Sequence, residues 1–511
     1  MPTKHLTRCL NIGNCEKANS MALIEIKESD EFICPECGKS VVAANSPNNK
    51  SGIFQKKPLV ISLAVAAFLG ILYAFSLNKP KDTVPGSSLP SLLPSEDKLI
   101  LSISGSNTIG SKLMPALVSE YFKTKECNNI QIKKLEAELV NVTCNLNGKN
   151  LIASISSRGS GTGFKALANN SAEIAMSSRK VKAAEIAILA SKGNITSQSN
   201  EHVIALDGIA IIVSPNNLLP KLSVPQIKDI FSGRLKSFKL VEGPERSINL
   251  YRRDDKSGTF DSFEALVMDK QPISKSAKAF EDSKILSSSV STDNDAIGFV
   301  GNAFIGDARA VPVGSPGQIA LIPNRFTIQT EDYPLTRRLY LYTLSESTNL
   351  EAVRFINFVV SSKGQKVVEM NNFVPLSIIA KSFIPSTASS AGYKNSTLNA
   401  QRLSTNFRFD SGSNKLDNRS ISDLDRVTEY LISTSTSPEK LILIGFTDNT
   451  GDPALNIILS KERAQAVAST LKSRGILTNK LYGFGSENPV ASNQSSVGQD
   501  KNRRVEVWVQ K

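Results

Sequence analysis

The chain has 511 residues, of which 40% are hydrophobic and 21% are charged, so its length exceeds one typical domain and its composition excludes a wholly disordered chain. The formal net charge of +13 would suit a nucleic-acid-binding protein. Aromatic residues make up only 6%, however, and no basic run interleaves with them, so we predict no nucleic-acid partner and attribute the charge to anionic ligands and surfaces.

The first feature along the chain is a cluster of four cysteines, Cys9, Cys15, Cys34 and Cys37. The second pair, in CPECG, has the spacing of a zinc-knuckle turn, whereas the five residues within the first pair exceed the usual two to four. Clustered thiols in a reducing compartment favour metal over disulfides. The pattern resembles the zinc ribbons found ahead of membrane anchors, and it predicts a zinc ribbon over residues 1–40 with these four ligands. Unligated thiols or a redox pair are the alternatives.

An uncharged apolar stretch, LVISLAVAAFLGILYAFSL, follows at residues 59–77. A helix of that length, rising ~1.5 Å per residue, reaches across a bilayer core. The alternative is a cleaved signal peptide, since Ala74-Phe75-Ser76 loosely resembles a cleavage site, but a signal peptide does not carry a cysteine-rich module before its apolar core. We therefore predict one transmembrane helix over residues 58–77. The protein would be a single-pass protein of the bacterial inner membrane, with its amino terminus in the cytoplasm and its later domains in the periplasm.

Two stretches rich in Pro and Ser, residues 78–97 and 384–402, are predicted as linkers. The region between them, residues 98–383, alternates strand and helix patterns. Residues 403–511 form a compact segment beyond the second linker.

Small polar turns that follow strands recur within residues 98–383. SGSNT follows the strand pattern at 99–103, RGSGTG precedes a short helical run, and RRDDKSGTF follows the strand pattern at 248–251. Such turns point backbone N–H groups at an anion. One turn alone is more often an ordinary helix cap, but three in one domain indicate an anion site.

At this point the sequence resembles the phosphate-binding periplasmic proteins. The phrases that carry the resemblance are SRGSGTGFKAL, AEIAMSSRKV, ALDGIAIIVSPNN, IKDIFSGR, RDDKSGTFDSF, AIGFVGNAF and FINFVVSSKGQKVVEMNNFVPL. They cover nearly all of residues 98–383. The resemblance implies a two-lobed type II periplasmic-binding fold whose lobes close over the ligand by hinge motion.

The resemblance also implies which residues bind phosphate: Ser106, Thr108, Ser160, Ser178, Arg253, Asp255, Ser257, Gly258 and Thr259. The hydroxyl groups would donate hydrogen bonds, and Arg253 would supply the charge-assisted contact. Asp255 would orient Arg253 or accept the proton of monohydrogen phosphate. Some family members have an aspartate in the first lobe where this chain has Ser178 followed by Arg179. Sulfate or another tetrahedral oxyanion therefore stays open as the ligand.

Two further cysteines, Cys127 and Cys144, fall on the oxidising side of the predicted membrane. We expect a disulfide between them, with two separate buried thiols as the alternative. The histidines, His5 and His202, form no nucleophile–base pair and no metal pair is evident here, so the protein is not expected to be an enzyme.

The last segment, residues 403–511, has an amphipathic helix pattern at 421–432, a strand at 441–444, a helix that ends at Arg474 before Gly475, and a strand at 505–509. Its phrases GFTDNTGDPALNIILSKERAQAV, GFGSENPVASN and KNRRVEVWV resemble the OmpA-like peptidoglycan-binding domain. The resemblance implies an α/β sandwich.

In that family an aspartate and an arginine fifteen residues apart hold the amino-carboxylate end of diaminopimelate in the peptidoglycan stem peptide, and here they are Asp448 and Arg463. Asn456 would brace the loop, and Asn502 and Arg504 would support the site. The alternative for Arg463 alone is a solvated helix arginine. Phe446 stands where the family often has histidine, which predicts a changed groove edge.

Together these patterns predict a multidomain α/β protein. The first hypothesis is an inner-membrane-anchored periplasmic phosphate-binding protein that also binds peptidoglycan. It would serve phosphate uptake or sensing with an ABC transporter or a signalling protein. The alternative is a structural anchor that links the inner membrane to peptidoglycan without binding a ligand. The presence of Arg253, Ser257 and Thr259 favours real anion binding.

Overall fold

The computed structural model describes residues 4–9, 23–27, 34–35, 41–43, 97–255, 257–314, 319–345, 349–409 and 415–511. The chain divides into two compact units, Met1–Ser95 and Glu96–Lys511. The predicted transmembrane helix at 58–77, all but the last residue of the linker at 78–97, and the predicted zinc ligands Cys15 and Cys37 lie outside the described residues. No helix in the described ranges combines the length and the apolar character needed to cross a membrane.

In the first unit three strands form an antiparallel sheet: β1 (Lys4–Cys9), β2 (Leu23–Lys27) and β3 (Val41–Ala43). Strand β1 lies between the other two and pairs with both. Cys34 is buried. Within the described ranges, no three His, Cys, Asp or Glu side chains are grouped to hold a metal ion. The zinc ribbon therefore stays a prediction.

The second unit contains the remaining elements. Its strands, β4 to β21 in order, are Lys98–Gly105, Asn128–Glu136, Leu139–Leu146, Lys149–Ser156, Ile174–Ser177, Glu201–Val213, Leu222–Ser223, Asn249–Arg253, Lys278–Phe280, Ala296–Gly301, Arg309–Ala310, Val313–Gly314, Thr336–Tyr342, Ala380–Ser382, Ala400–Arg408, Leu441–Gly445, Lys480–Gly483 and Arg504–Gln510. Its α-helices, α1 to α14 in order, are Asn107–Gly110, Leu113–Thr124, Ser160–Ala168, Ala183–Leu189, Val224–Phe231, Gly258–Phe263, Ser283–Thr292, Arg325–Gln329, Leu350–Val360, Ser362–Met370, Ala391–Ser396, Asn418–Ser433, Pro453–Lys472 and Ser496–Asn502. Shorter helical turns are the 3₁₀ segments Ala190–Lys192, Phe238–Val241, Asn302–Phe304 and Pro438–Lys440 and the π segment Glu264–Met268.

Residues 98–379 form two lobes joined by a continuous sheet, in the order β12-β11-β13-β9-β16-β8-β4-β7-β6-β5 among the described strands. Strands β4–β8 belong to the first lobe and β10–β15 to the second, and the antiparallel pair β9 and β16 connects them. The long strand β9 is almost entirely buried, and most of its residues are apolar. This two-lobed α/β architecture agrees with the predicted fold.

The carboxyl-terminal domain is a five-stranded sheet, in the order β17-β18-β21-β19-β20 among the strands described there, with helices α12 and α13 packed on it. The apolar side of α12 is buried, as its periodicity predicts. Asp417 caps this helix by accepting a hydrogen bond from the Ser420 N–H at 2.7 Å. Asp452 caps α13 in the same way. The α/β sandwich predicted for this segment is present.

The stretch 384–402, predicted as a linker, is folded against the carboxyl-terminal domain. Strand β17 pairs with β18 just before it, and helix α11 lies within it. Tyr393 is 2% exposed, packs edge-on against Phe446 and Trp508, and donates a hydrogen bond to Glu506 at 2.9 Å. One buried aromatic anchor therefore orders a segment whose Pro, Ser and Ala content is typical of a tether.

Cys127 and Cys144 are joined by a disulfide with a Cα–Cα distance of 5.7 Å. Cys127 follows helix α2 and Cys144 lies on β6, and both are buried in the core of the first lobe. The bond closes a loop with a sequence separation of 17 residues.

Reduction of this disulfide should lower the free energy of unfolding by ~3 kcal/mol, because it releases a loop of about this length in the unfolded chain. Denaturant unfolding of the full-length chain, with and without reductant, measures the change. A Cys127→Ser/Cys144→Ser variant is the control, because reductant should then have no further effect. An equal response of the variant to reductant would assign the change to other cysteines.

Candidate functional site

The two lobes meet at a buried ion pair between the connecting strands. Asp207 on β9 lies opposite Arg337 on β16. Nε and Nη2 of Arg337 lie 3.0 and 2.6 Å from Oδ2 of Asp207. The side chain of Arg337 is 5% exposed and that of Asp207 is 9% exposed. Because a buried charge is stable only when paired, each residue requires the other.

Arg337 also contacts one residue from each lobe. Its Nη1 donates to the Gly258 carbonyl at 2.7 Å, and its Nη2 lies 3.4 Å from Oγ1 of Thr108. Gly258 begins helix α6 of the second lobe, and Thr108 lies in α1 of the first. A Cβ atom added to Gly258 would lie 1.6 Å from Thr108 Oγ1, so this close approach requires glycine.

A cavity of about 470 Å³ opens beside this contact, between the two lobes. It brings together five of the predicted site residues, which are Thr108, Arg253, Ser257, Gly258 and Thr259. Residues from both lobes therefore line one cavity, the arrangement that the two-lobed fold predicts.

Arg253 is held at the cavity wall by the last residue of β12 and by residues that follow it. Its Nε and Nη2 donate to the carbonyls of Phe280 and Glu281 at 3.2 and 2.7 Å, and Nη1 donates to Ser283 Oγ. Asp254 lies 3.4 Å from Nη2. Since neutral carbonyls make most of these contacts, the guanidinium keeps its charge available to an anion.

Ser257 is 8% exposed, and its Oγ accepts a hydrogen bond from the Thr259 N–H at 3.2 Å. Asp255, expected to orient Arg253, forms its ion pair with Arg252 and is 73% exposed. The neighbouring Asp254 lines the cavity instead, because its N–H extends the pairing of β11 with β12 by donating to the Phe280 carbonyl.

Of the described residues, four acidic ones line this cavity, which are Glu138, Asp207, Asp254 and Glu281, and the first three lie beside an arginine. Asp207 pairs with Arg337 and Asp254 with Arg253, while Glu138 lies 3.8 Å from Arg158. These arginines offset part of the repulsion that the acidic residues would exert on an anion.

Ser160 and Ser178 line a different cavity, of about 540 Å³, which Arg337 also lines. Their hydroxyl oxygens are 3.3 Å apart, and Ser160 Oγ accepts from the Ser178 N–H at 3.2 Å. The contact of Arg337 with Thr108 and Gly258 thus separates the predicted residues that line the first cavity from Ser160 and Ser178, which line the second. Ser106 is 1% exposed, and its N–H donates to the Met176 carbonyl at 2.9 Å.

Carboxyl groups in and beside the second cavity have perturbed pKa values, among them Asp261 in its lining and Glu185 beside Arg179. Burial raises the pKa of Asp261, although Arg337 and Arg179 oppose the change. Burial also opposes ionisation of Glu185, but hydrogen bonds from Arg179 hold the pKa of Glu185 below its ordinary value. Arg179 is therefore committed to Glu185, at 2.7 and 2.8 Å.

Arg337 and Asp207 were not among the residues predicted from the sequence. The signal is nevertheless present, since TRRLYLY places two arginines inside an apolar strand pattern and ALDGIAIIV places one aspartate inside another. Charges in buried strands need partners, and two such strands predict a pair.

A second cluster lies in the carboxyl-terminal domain around Asp448. Its Oδ2 accepts from Nη1 of Arg503 at 2.7 Å, and its Oδ1 accepts from the Thr450 N–H at 2.8 Å. Burial opposes ionisation, but these donors hold the pKa of Asp448 below its ordinary value. Asn456 donates to the Thr450 carbonyl at 3.0 Å, which braces this loop as expected from the sequence.

Arg463 lies close to this cluster and is 2% exposed. Burial lowers its pKa, and the charge of Arg503 adds to the effect. Its Nη1 donates to the Phe446 carbonyl at 3.3 Å, and its Nε has no hydrogen-bond partner within the described residues. The predicted pair Asp448 and Arg463 thus shares one neighbourhood with Arg503.

Arg504, predicted to support this site, instead pairs with Glu506 at 2.7 Å and stacks on the ring of Phe446 at 4.0 Å. Asn502 accepts from the N–H groups of Val490 and Ala491 and so holds the adjoining loop. Arg503 caps the carboxyl end of helix α14 and Arg504 begins β21, so the two adjacent side chains have different surroundings.

Comparison with known proteins agrees with the two-domain arrangement. A family model described as the PBP superfamily domain matches residues 94–363. A second model, described as the OmpA family, matches residues 408–503.

Among curated proteins, the phosphate-binding protein PstS of Staphylococcus epidermidis is 33% identical over 216 residues, which are 40% of this chain and 65% of that protein. The PstS of Staphylococcus saprophyticus is 32% identical over 237 residues, covering 45% of this chain and 72% of that protein. The chain therefore spans about two thirds of the length of these relatives.

Among solved structures, an ABC-type phosphate transport receptor from Vibrio cholerae is 22% identical, with a TM-score of 0.43, over 54% of this chain and 99% of that chain. A phosphate ABC transporter substrate-binding protein from Clostridium perfringens is 26% identical, with a TM-score of 0.39, over 54% of this chain and 98% of that chain.

Replacement of Arg337 by Met should lower the free energy of unfolding by ~3–5 kcal/mol, because it leaves the buried carboxylate of Asp207 without a partner. Denaturant unfolding of the full-length chain measures the loss. The double variant Arg337→Met/Asp207→Asn should recover most of the stability. A double variant no more stable than the single one would contradict this account of the pair.

Proposed function

Because the chain belongs to the family of the PBP superfamily domain, we propose that the cavity between its lobes binds a tetrahedral oxyanion, and that this oxyanion is phosphate. The observation that carries the proposal is the position of Arg253, which is held at the cavity wall by backbone carbonyls. Hydroxyl groups of both lobes, from Thr108, Ser257 and Thr259, line the same cavity. The names of the curated relatives, all phosphate-binding proteins, support phosphate as the anion.

The arrangement supplies the two features that phosphate needs. The Arg253 guanidinium offers a charge-assisted contact, and the hydroxyl groups donate further hydrogen bonds. A carboxylate that accepts the proton of monohydrogen phosphate would favour phosphate over sulfate, which carries no proton near neutral pH. Asp254 lies in the cavity beside Arg253 and is proposed for this role in place of Asp255.

Ser160 and Ser178 face the other cavity in this geometry. A contribution from them to the same anion would require the contact between Thr108 and Gly258 to separate. Opening of the lobes about the connecting strands would produce that separation.

The proposed role of the carboxyl-terminal domain is to bind the diaminopimelate stem peptide of peptidoglycan. Asp448 would pair with the ammonium group of diaminopimelate, and Arg463 would bind its carboxylate. Support comes from the match to the OmpA family and from the Nε atoms of Arg463 and Arg503, which have no hydrogen-bond partner in the part of the chain that is described.

The remaining predictions complete the proposal. A zinc ribbon with Cys9, Cys15, Cys34 and Cys37 as ligands and a membrane helix over 58–77 would hold the receptor at the bacterial inner membrane. The two later domains would then lie in the periplasm. Phosphate uptake or sensing, with an ABC transporter or a signalling protein as partner, follows from this placement. A purely structural anchor is the alternative, and absence of anion binding would favour it.

Titration of the purified full-length chain with phosphate in a calorimeter tests the first proposal. The unaltered protein should release or absorb heat on binding, and Arg253→Ala should weaken binding at least about tenfold, because it removes a charge-assisted contact. Sulfate should bind more weakly than phosphate if a carboxylate accepts the phosphate proton.

The matched control is Arg252→Ala, which removes the same charge from the preceding residue. Arg252 pairs with the exposed Asp255 and stacks over the ring of Phe260 at 5.1 Å. This variant should bind phosphate within a factor of about two of the unaltered protein, since Arg252 is not among the residues that line the cavity and Asp255 offsets its charge. Equal losses in both variants, or no heat from a folded protein, would reject the assigned cavity.

Sedimentation with purified peptidoglycan tests the second proposal. Asp448→Asn should reduce retention about tenfold or more, because it removes the charge that pairs with the ammonium group. Asp425→Asn, at an exposed position of the same domain, is the control. Peptidoglycan with lysine in place of diaminopimelate should bind weakly, since lysine offers Arg463 no carboxylate. Equal retention of both kinds of peptidoglycan would refute the assigned contact.

A further inference from the structure

The carboxyl-terminal domain holds the segment 329–334 that leads into the connecting strand β16. Four carbonyl oxygens of this segment accept hydrogen bonds from side chains of that domain. The Gln329 carbonyl accepts from Arg419 at 2.7 Å, the Thr330 carbonyl from Asn406 and Arg408 at 2.8 and 2.9 Å, and the carbonyls of Tyr333 and Pro334 from Lys501 at 3.2 and 3.1 Å. Backbone contacts of this density fix the path of the segment.

Two carboxylates in the same segment are paired across the domain boundary. Glu331 has a positive φ of 57°, and its carboxylate lies 3.1 Å from Arg408 and 3.2 Å from Arg419. Asp332 lies 3.0 Å from Arg402. All five side chains are no more than 11% exposed, so the interface is buried as well as charged.

Arg338 lies on the connecting strand β16 and links this strand to the interface. Its Nη2 donates to Glu331 at 2.9 Å and its Nη1 to Asp417 of the carboxyl-terminal domain at 2.7 Å. The preceding residue, Arg337, contacts Gly258 of the anion cavity. Successive side chains of a strand point to opposite faces, so one strand carries the interface on one face and the cavity on the other.

The carboxyl-terminal domain also contacts the other connecting strand, β9. Asn418 donates to the Thr196 carbonyl at 2.9 Å and to Oε1 of Glu201, at the start of β9, at 3.1 Å. Any change of angle between the lobes moves β9 or β16 near Asp207 and Arg337. Packed interfaces switch between discrete arrangements and do not deform continuously. A change of angle between the lobes must therefore also change the contacts of the carboxyl-terminal domain with β9 and β16.

We propose that the carboxyl-terminal domain acts as a clamp on the hinge of the two-lobed domain, so that anion binding in the cavity and the arrangement of the clamp are coupled. The clamp consists of Asn406, Arg408, Asn418, Arg419 and Lys501 acting on residues 329–334 and β9. The inference rests on the proposed anion binding. Coupling is reciprocal, so a weakened clamp changes the affinity for the anion by the same factor by which the anion changes the clamp.

The chain contains one tryptophan, Trp508, which serves as a reporter on the far side of the clamp. It is fully buried, and its Nε1 donates to Glu506 at 3.1 Å. Glu506 lies 3.3 Å from Arg402, which in turn contacts Asp332. A change at segment 329–334 therefore reaches the indole through three contacts.

The test titrates the full-length chain with inorganic phosphate while recording Trp508 emission, with calorimetry on the same sample. The emission should change and saturate along the calorimetric binding curve. Lys501→Met removes two clamp contacts, and it should reduce the emission change and shift the dissociation constant about fivefold or more. Lys472→Met, at an exposed position on α13, is the control and should leave both unchanged.

Heat of binding with unchanged Trp508 emission in the unaltered protein would overturn the clamp and leave phosphate binding intact. Absence of heat would remove the anion binding and the coupling together, so the two failures are distinguishable. The unaltered protein alone decides the first case, whether or not Lys501→Met folds. A folded Lys501→Met variant with unchanged affinity and unchanged emission response would also overturn the clamp.

Discussion

Two neighbouring arginines on one buried strand, Arg337 and Arg338, constrain much of the second unit. Both guanidinium groups lie largely out of solvent, so each needs carboxylate or carbonyl partners within the protein. Arg337 pairs with Asp207 and donates to the Gly258 carbonyl, which brings the two lobes together. Arg338 forms ion pairs with Glu331 and with Asp417, which holds the carboxyl-terminal domain against the connecting strand β16. The position of the cavity and the docking of the next domain therefore depend on the same strand.

The environment of Glu331 shows how strongly the interface favours its charged form. Burial alone would raise the pKa of this carboxyl group, but Arg338, Arg419 and Arg408 together hold it well below the ordinary value of 4.5. A pKa lower in the folded than in the unfolded chain means that the group stabilises the fold above the unfolded-state pKa. This contribution declines as the pH falls below about 4.5 towards the folded-state pKa. The charge of Glu331 therefore supports the docking of the two domains at neutral pH, and this support is lost in acid.

The sequence allowed the elements to be located well, because local patterns decide them. The helix expected at 421–432 is Asn418–Ser433, and the strand expected at 505–509 is Arg504–Gln510. Arg253, Ser257 and Thr259 could be placed together because they lie within seven residues of one another. The folded structure of residues 384–402 could not be predicted, since it depends on the burial of Tyr393 by side chains more than fifty residues away.

Long-range pairing explains the other differences as well. Asp207 and Arg337 are 130 residues apart in the chain, and no local pattern specifies which charge meets which. Asp254 and Asp255 are adjacent, and only the end of the β11 pairing decides that the first lines the cavity. Arg503 and Arg504 differ for the same reason at the start of β21. Sequence motifs locate the segments that line the cavity, whereas the choice between neighbouring residues is made by the tertiary structure.

The interface between the two-lobed domain and the carboxyl-terminal domain is charged as well as buried, and this affects how the two domains are held together. A buried network of ion pairs adds little stability compared with an apolar interface of the same size, because desolvation offsets most of the attraction. It does impose direction, since each guanidinium hydrogen bond has a fixed geometry. A tether that only held a receptor near the wall would need no such interface, and a flexible linker would suffice. The buried charges between residues 329–334 and the carboxyl-terminal domain therefore hold the two domains in one orientation, which a flexible linker would not do.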